Sequence, residues 1–356
     1  MGGRNRKNRE MRLLLAGGGL LIISAVLQVL ARKTGWFGQW YAQWVYPWLS
    51  GTLARFFGLF PFPVGELLLY FLLISCVLYG FCHLGQWKKI VSGTLFLISL
   101  LFFIYTVNCG INYYRRPFSD YLEYRAGRYS EKELEELLGW LTQRVNAVYT
   151  ETGGQERRKV QNEAVKAMEK LGEQYPQLAG YYPRPKPLAW SYFFSVQQLC
   201  GQYSPFTVEA NYNREMPDYN IPHTICHELS HLRGFMREDE ANFIGYLACI
   251  GSDSPSYRYS GYLTGWVYAT NALAKTDMEA YLELCGALDE RAWVDLRGNN
   301  EFWARYDGKA AEVSNQLNDT YLKINSQADG VKSYGRVVDL MLAYARKQAD
   351  SLEEEQ

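Results

Sequence analysis

Hydrophobic and polar positions divide the chain near residue 108. Before that point three runs of mostly apolar residues, about 13–31, 64–84 and 90–107, approach the roughly 20 residues that carry a helix across a bilayer. After it the pattern becomes amphipathic. Ser130-Glu131-Lys132-Glu133 has the form of a capping box, and Leu134, Leu137, Leu138 and Leu141 then recur on one helical face. Gly153-Gly154 breaks the chain, and a second amphipathic helix follows to about Tyr175. Pro183, Pro185 and Pro187 mark an irregular segment. From Ser191 to Val208 aromatic and β-branched residues increase, and Ser204-Pro205-Phe206-Thr207 reads as extended chain. Beyond Ile221 the pattern is helical almost to the end, with breaks expected near 252–255, 298–300 and 329–330. The expected fold is mainly α. A membrane anchor of three transmembrane helices occupies residues 1–108, and a mostly helical domain with a small β element occupies 109–356.

Between the first two apolar runs, Trp36, Trp40, Trp44 and Trp48 recur every fourth residue, a drifting stripe on one helical face. Indole rings favour the headgroup region of a bilayer, which suits an interfacial helix; packing against the rest of the protein would produce the same stripe.

Charge sharpens the division. The chain has 37 Lys+Arg and 37 Asp+Glu, so its formal net charge is zero, which argues against a nucleic-acid partner. The signs are segregated, however. Ten basic and two acidic residues precede Cys109, a net +8, which leaves −8 for the remainder. Arg4, Arg6, Lys7, Arg9 and Arg12 crowd the N-terminal tail, and Lys88 and Lys89 lie in the link between the second and third runs. The positive-inside rule places both segments in the cytoplasm and the domain from Cys109 onward outside it. Cys76 and Cys82 fall in the apolar runs, and Cys109, Cys200, Cys226, Cys249 and Cys285 fall outside them without a C-x-x-C pair.

Three of the four histidines lie within nine residues. His227-Glu228-Leu229-Ser230-His231 is an H-E-x-x-H motif, in which two imidazoles one helical turn apart can hold one Zn²⁺. The intervening Glu228 can then act as general base on the metal's water. Zinc needs a third protein ligand as well. Glu238 is the leading candidate, yet on a straight helix it would lie about 13 Å along the axis from the histidines. The helix must therefore stop, and Gly234 is where it can reverse. Glu240 and Asp239 are alternative ligands. Asn242, one turn beyond Glu238, can orient a ligand from behind. His223, one turn before His227, is a helix-start or core residue, a ligand, or a contributor to substrate binding.

The run from His227 to His231, followed by Arg237-Glu238-Asp239-Glu240-Ala241-Asn242, resembles the gluzincin metallopeptidases. Their membrane-bound members carry an R-E-x-x-A-D helix whose Glu is the third zinc ligand. The resemblance implies a zincin-like domain in which Glu238 has that role and Asn242 replaces the Asp. The spacing departs from theirs, because gluzincins place tens of residues between the two helices. The metzincin pattern also runs through Gly234, but Arg237 occupies its last ligand position. Over nearly the whole chain the sequence is similar to a bacterial membrane family called domain of unknown function 3810. That similarity rests on Tyr203-Ser204-Pro205-Phe206-Thr207, Glu209-Ala210-Asn211, Cys226–His231, Glu238–Asn242, Asp329-Gly330-Val331 and Ser333-Tyr334-Gly335-Arg336.

Together these readings lead to an expected function: a multi-pass bacterial membrane zinc metallopeptidase acting on a peptide or protein. His227, His231 and Glu238 hold Zn²⁺, Glu228 is the base, and Tyr334 or Arg336 stabilises the oxyanion. The extended 204–208 segment is either a peptide-binding edge that works by strand addition or an ordinary strand or loop. The rivals are a non-catalytic sensor or scaffold with a structural or ligand-binding zinc site, and a zinc amidase acting on cell-wall peptides.

Overall fold

The structure is a computed structural model that describes residues 2–122, 129–325, 327 and 336–354. It is mainly helical and separates into two compact units. One comprises residues 1–115 with the short stretch Ser204–Glu209, and the other comprises 116–203 and 210–356.

The first unit contains α1 (Gly2–Lys33), α2 (Phe37–Trp40), a π-helical turn (Tyr41–Val45), α3 (Tyr46–Gly58), α4 (Val64–Cys82) and α5 (Trp87–Asn108). Asn8–Lys33 of α1, together with α4 and α5, are long and apolar enough to cross a membrane. α1 and α5 pack closely through small residues. A Cβ on Gly17 would come within 3.3 Å of the Phe96 Cα and the Ser99 Oγ, so glycine sets how near the two helices approach. Ser24 and Ser99 are buried there, and their hydroxyls donate to the carbonyls of Leu20 and Leu95 in their own helices. Large apolar side chains such as Leu15, Ile22, Phe71 and Ile98 are exposed, as expected for surfaces that face lipid.

Helix α4 begins after Pro63 without a cap from its own neighbours. The buried carboxylate of Glu209 supplies one, accepting the N–H of Val64 at 3.1 Å and that of Gly65 at 2.6 Å. Thr207 Oγ1 donates to the same carboxylate at 2.7 Å. An anion here meets two orphan backbone donors and the positive end of the helix dipole. A Cβ on Gly65 would lie 2.6 Å from Ser204 Oγ and 2.7 Å from Thr207 Oγ1, which explains glycine at that position.

The second unit contains α6 (Glu131–Val148), α7 (Arg157–Gln174), β1 (Lys186–Pro187), α8 (Ser191–Val196), β2 (Gly201–Ser204), β3 (Glu209–Tyr212), α9 (Asn220–Leu232) and α10 (Glu238–Ile250). It closes with α11 (Pro255–Leu273), α12 (Met278–Gly286), α13 (Glu290–Ala304), α14 (Lys309–Ile324) and α15 (Arg336–Glu354). The capping box forms: Ser130 Oγ accepts the Glu133 N–H, and the Glu133 carboxylate accepts the Ser130 N–H. Leu134, Leu137, Leu138 and Leu141 are all buried. At the centre, α9 and α10 are buried along most of their length between α7 and α11.

Two local expectations change. Of the expected strand over Ser204–Val208 only Ser204 lies in a strand, and Pro205 to Val208 form a turn, with Val208 at a positive φ of 53° and its N–H bonded to Ser204 O. The strands flank it, β2 before and β3 after, while the aromatic-rich start of the region folds as α8. The sheet order is β1-β3-β2, with β1 parallel to β3. Pro205 lacks an N–H and suits a turn better than a ladder. The expected break at 298–300 is also absent, because those residues lie inside α13. Asn299 spends its side chain on tertiary bonds, accepting from Asn220 Nδ2 at 2.6 Å and from Trp303 Nε1 at 3.0 Å. All seven cysteines are free thiols.

Candidate metal centre

Helix α9 ends in the way its sequence suggests. Gly234 takes a φ of +85°, its N–H bonds to His231 O, and the Phe235 N–H reaches back to Ser230 O. This pair of bonds is a Schellman motif, in which a left-handed residue satisfies the last carbonyls and turns the chain. Four residues later α10 begins at Glu238. The reversal shortens the ~13 Å that a continuous helix would impose to direct contact.

His227 and His231 lie one turn apart with ring centroids at 4.7 Å and ring planes at 89°. Their Nε2 atoms are 3.1 Å apart. Glu238 Oε2 is 3.2 Å from His227 Nε2, and Oε1 is 3.7 Å from His231 Nε2. Among the described residues these three form the group able to hold a metal, with ligand atoms all within 4.8 Å of one another. Zn–N bonds of about 2.0–2.1 Å in a tetrahedron place neighbouring ligand atoms about 3.3 Å apart, so the spacing fits.

The hydrogen bonds behind the rings decide what the rings offer. His231 Nδ1 lies 2.6 Å from Phe235 O, a carbonyl that can only accept. His227 Nδ1 lies 2.8 Å from Asn242 Oδ1. Both Nδ1 atoms therefore donate, and both Nε2 atoms present lone pairs to the same small volume as a carboxylate. Either a proton on one Nε2 or a bound cation reconciles two acceptors and an anion at such distances.

The shifts in acidity reflect the same crowding. Burial pushes His227 down, but the hydrogen bond and charge of Glu238 outweigh it and raise the pKa to about 9. Burial likewise acts to raise Glu238, yet His227 holds its carboxyl below the usual range. Burial and then the neighbouring His227 charge lower His231 to about 4. A proton on His227 is thus one answer to the demand for positive charge, and a divalent ion is a fuller one.

Glu228 lies between the histidine pair in sequence, and both His227 and Glu238 act on its charge. It is buried, and burial, opposed by His227 and reinforced by Glu238, raises its pKa to about 8. The Tyr203 backbone N–H donates to it. A Cβ on Gly201 would sit 2.6 Å from Glu228 Oε1, so strand β2 can lie against the glutamate only with glycine there.

A family model for a protein of unknown function, DUF3810, matches residues 41–342. The chain belongs to the DUF3810 family. No curated protein and no solved structure matches it.

The geometry of this DUF3810 member separates the candidate residues. His227, His231, Glu238 and Glu228 come together, and Asn242 stands behind His227. Glu240, considered as an alternative ligand, faces away. Its carboxylate accepts the Phe118 N–H at 3.0 Å and pairs with Arg237 at 3.8 Å. Burial lowers His223 to about 3, and its Nε2 donates to Asn242 O at 3.1 Å. This bond ties it to the backbone that carries Asn242, and it is not part of the group formed by His227, His231 and Glu238. Arg336 begins α15 with an exposed side chain, and its charge acts on Asp239 and Asp339. Tyr334 lies outside the described residues.

Three contributors were not foreseen from the sequence: Gly201, the Tyr203 N–H and Tyr268. Tyr268 is half-buried on α11, its ring 6.2 Å from that of His223, and Glu238 is among the charges acting on its phenol. The family segment Tyr203–Thr207 signalled Tyr203, but no local pattern points to Gly201 or Tyr268.

Proposed function

We propose that this chain is a membrane-anchored zinc metallopeptidase that hydrolyses peptide bonds. The observation that carries the reading is the convergence of His227 Nε2, His231 Nε2 and Glu238 on one point, with the buried Glu228 beside them. The H-E-x-x-H helix and the Glu238–Asn242 helix keep the likeness to gluzincins noted in the sequence, with a far shorter connection. His227, His231 and Glu238 would hold Zn²⁺, which would supply Lewis-acid polarisation of the scissile carbonyl and activation of water.

The chain's own groups do the rest. Phe235 O and Asn242 Oδ1 accept from the Nδ1 atoms of His231 and His227, an arrangement that would leave their Nε2 atoms to serve as ligands. Glu228 takes the proton of the attacking water and delivers it to the leaving amine. Its raised pKa suits both halves of that transfer, because a base near neutrality can also serve as an acid. Edge strand β2, beside Glu228, offers backbone for an extended peptide substrate. The basic N-terminal tail and Lys88-Lys89 favour a cytoplasmic N-terminus, which puts the catalytic unit on the outer face of a bacterial cell membrane.

The structural form of the non-catalytic alternative needs a fourth protein ligand. His223 was the obvious donor, and its Nε2 is engaged with a backbone carbonyl. The deciding experiment measures zinc per chain and peptide turnover together on the detergent-solubilised protein. The proposal expects about one zinc in the parent. It expects zinc lost in Glu238→Gln but retained in Glu240→Gln, and turnover abolished with zinc kept in Glu228→Gln. A Glu228→Gln variant that still cleaves peptide defeats the mechanism, and a parent that binds no zinc defeats the site.

A further inference from the structure

The stretch from Phe37 to Gly58 is one helix interrupted by the π-turn Tyr41–Val45. Its cause is local. Pro47 has no N–H to give to the Gln43 carbonyl, and the Tyr46 N–H reaches back to Tyr41 O, five residues away.

The turn changes how the four tryptophans are arranged. In a regular α-helix a period of four drifts by about 40° per step, so Trp48 would point roughly 120° away from Trp36. Widening one turn by a residue absorbs about 100° of that drift. The indoles therefore stay on one side, and all four are exposed: Trp36 63%, Trp40 44%, Trp44 73% and Trp48 71%. The opposite side, Gly38, Ala42, Tyr46, Ser50 and Ala54, is buried with the same period of four.

The start of the buried side is held against the end of α5. Tyr41 Oη donates to Val107 O, in the last turn of α5, at 2.7 Å. A Cβ on Gly38 would overlap the Tyr114 carbonyl just beyond that helix, which fixes glycine at the contact. The segment also starts shortly after Lys33, where α1 ends, and Arg32 and Lys33 are both exposed at that level. A contiguous row of exposed indoles is unusual on a surface bathed in water. At the ends of two membrane-length helices the same row lies where the bilayer surface would be. Indole and guanidinium or ammonium groups are the side chains that favour that zone.

We infer that the tryptophan face of Phe37–Gly58 lies in the headgroup region of the bilayer, making this helix a fourth, in-plane membrane element beside the three that cross. The occupant is lipid, and the basic pair Arg32-Lys33 makes anionic headgroups the favoured neighbours. The π-turn aligns the row, because without it the outer two indoles could not meet one flat surface together. This inference is independent of the zinc site.

The test uses the full-length chain in vesicles of phosphatidylcholine and phosphatidylglycerol. Lipids brominated at upper or deep acyl carbons report contact with tryptophan, and aqueous iodide reports exposure to water. The parent is compared with a variant carrying Phe at 36, 40, 44 and 48, and with Trp44→Phe and Trp48→Phe singly in case the fourfold variant misfolds. The expected difference is emission quenched by upper-chain bromines, on the scale of four of the ten tryptophans, weaker with deep bromines and nearly insensitive to iodide. Quenching of those indoles by iodide with none by bromolipid overturns the inference. So does shielding from both quenchers with Trp44 cross-linking to a second copy, because the face would then be a protein interface.

Discussion

The two units of this protein bury carboxylates to opposite ends. In the first, Glu209 is surrounded by donors: two backbone N–H groups at the start of α4 and the Thr207 hydroxyl. Its charge is fully answered, so the group is structural. In the second, the Tyr203 N–H is the backbone donor acting on Glu228 while burial drives its pKa to about 8. That carboxylate is costly to keep ionised and is therefore ready to take and release a proton. The contrast teaches that burial alone does not mark a functional acid. What matters is how many donors are supplied, since an anion rich in hydrogen bonds is inert and one short of them is chemically available.

The strongest way to break this contrast is Glu228→Gln. It keeps the shape and the Tyr203 contact and removes the proton acceptor. Peptide turnover is expected to fall by roughly 10²–10⁴-fold or more, with zinc per chain unchanged by metal analysis. A fall in turnover that tracked zinc loss would instead make Glu228 a structural residue like Glu209.

Next in size is the metal itself. Glu238→Gln is expected to release zinc under mild dialysis, whereas Asn242→Ala, which removes the acceptor for His227 Nδ1, should weaken zinc affinity by about 10–100-fold. Competition with a chromophoric chelator distinguishes the two. Equal affinity in the parent and Asn242→Ala would mean that the tautomer of His227 is set by something else.

Glu209→Ala sharpens the other side. It leaves two backbone donors at the start of α4 without their acceptor, at an expected cost of roughly 2–3 kcal/mol to the first unit. Unfolding of the purified chain in detergent, followed through tryptophan emission, measures it. Glu209→Gln should recover part of the loss through its amide oxygen. No difference between the parent and the alanine variant would show that the cap carries little weight.

These sites were unequally legible in the sequence. The three apolar helices could be read because membrane length is a one-dimensional property. His227, Glu228 and His231 could be read because one helical turn fixes their geometry, and Glu238 followed once Gly234 was recognised as a reversal. Gly201 was invisible, since a strand brings it to Glu228 across the fold and nothing in its local pattern marks the contact, whereas Tyr203 was signalled only as part of the family segment. Glu209 was hidden for the same reason, because the helix it caps starts 145 residues earlier. Ser204–Val208 misled through composition: its aromatic and β-branched residues suit a strand, but Pro205 makes it the turn between two. Asn299 misled in the opposite way, a loop-favouring residue kept inside a helix by tertiary hydrogen bonds.

The smallest expected effect tests a carboxylate between these extremes. Glu133, in the capping box of α6, is partly exposed and accepts from Ser130 and from Arg346. Those bonds hold its pKa below the ordinary 4.5. A carboxyl depressed on folding stabilises above its unfolded pKa and loses that contribution as pH falls through its folded value. Glu133→Gln should therefore lower the protection of the first-turn amides of α6 slightly at pH 7. The gap from the parent should narrow below pH 4.5, as the parent's own carboxyl takes up its proton. Ser130→Ala removes the hydroxyl that the Glu133 N–H donates to and is expected to cost about 1 kcal/mol. Much of that cost should persist in acid, because a hydroxyl does not titrate. Hydrogen exchange of both variants at pH 7 and below pH 4.5 separates the two contributions. A pH-independent deficit in Glu133→Gln would mean that its carboxylate charge contributes nothing to the cap.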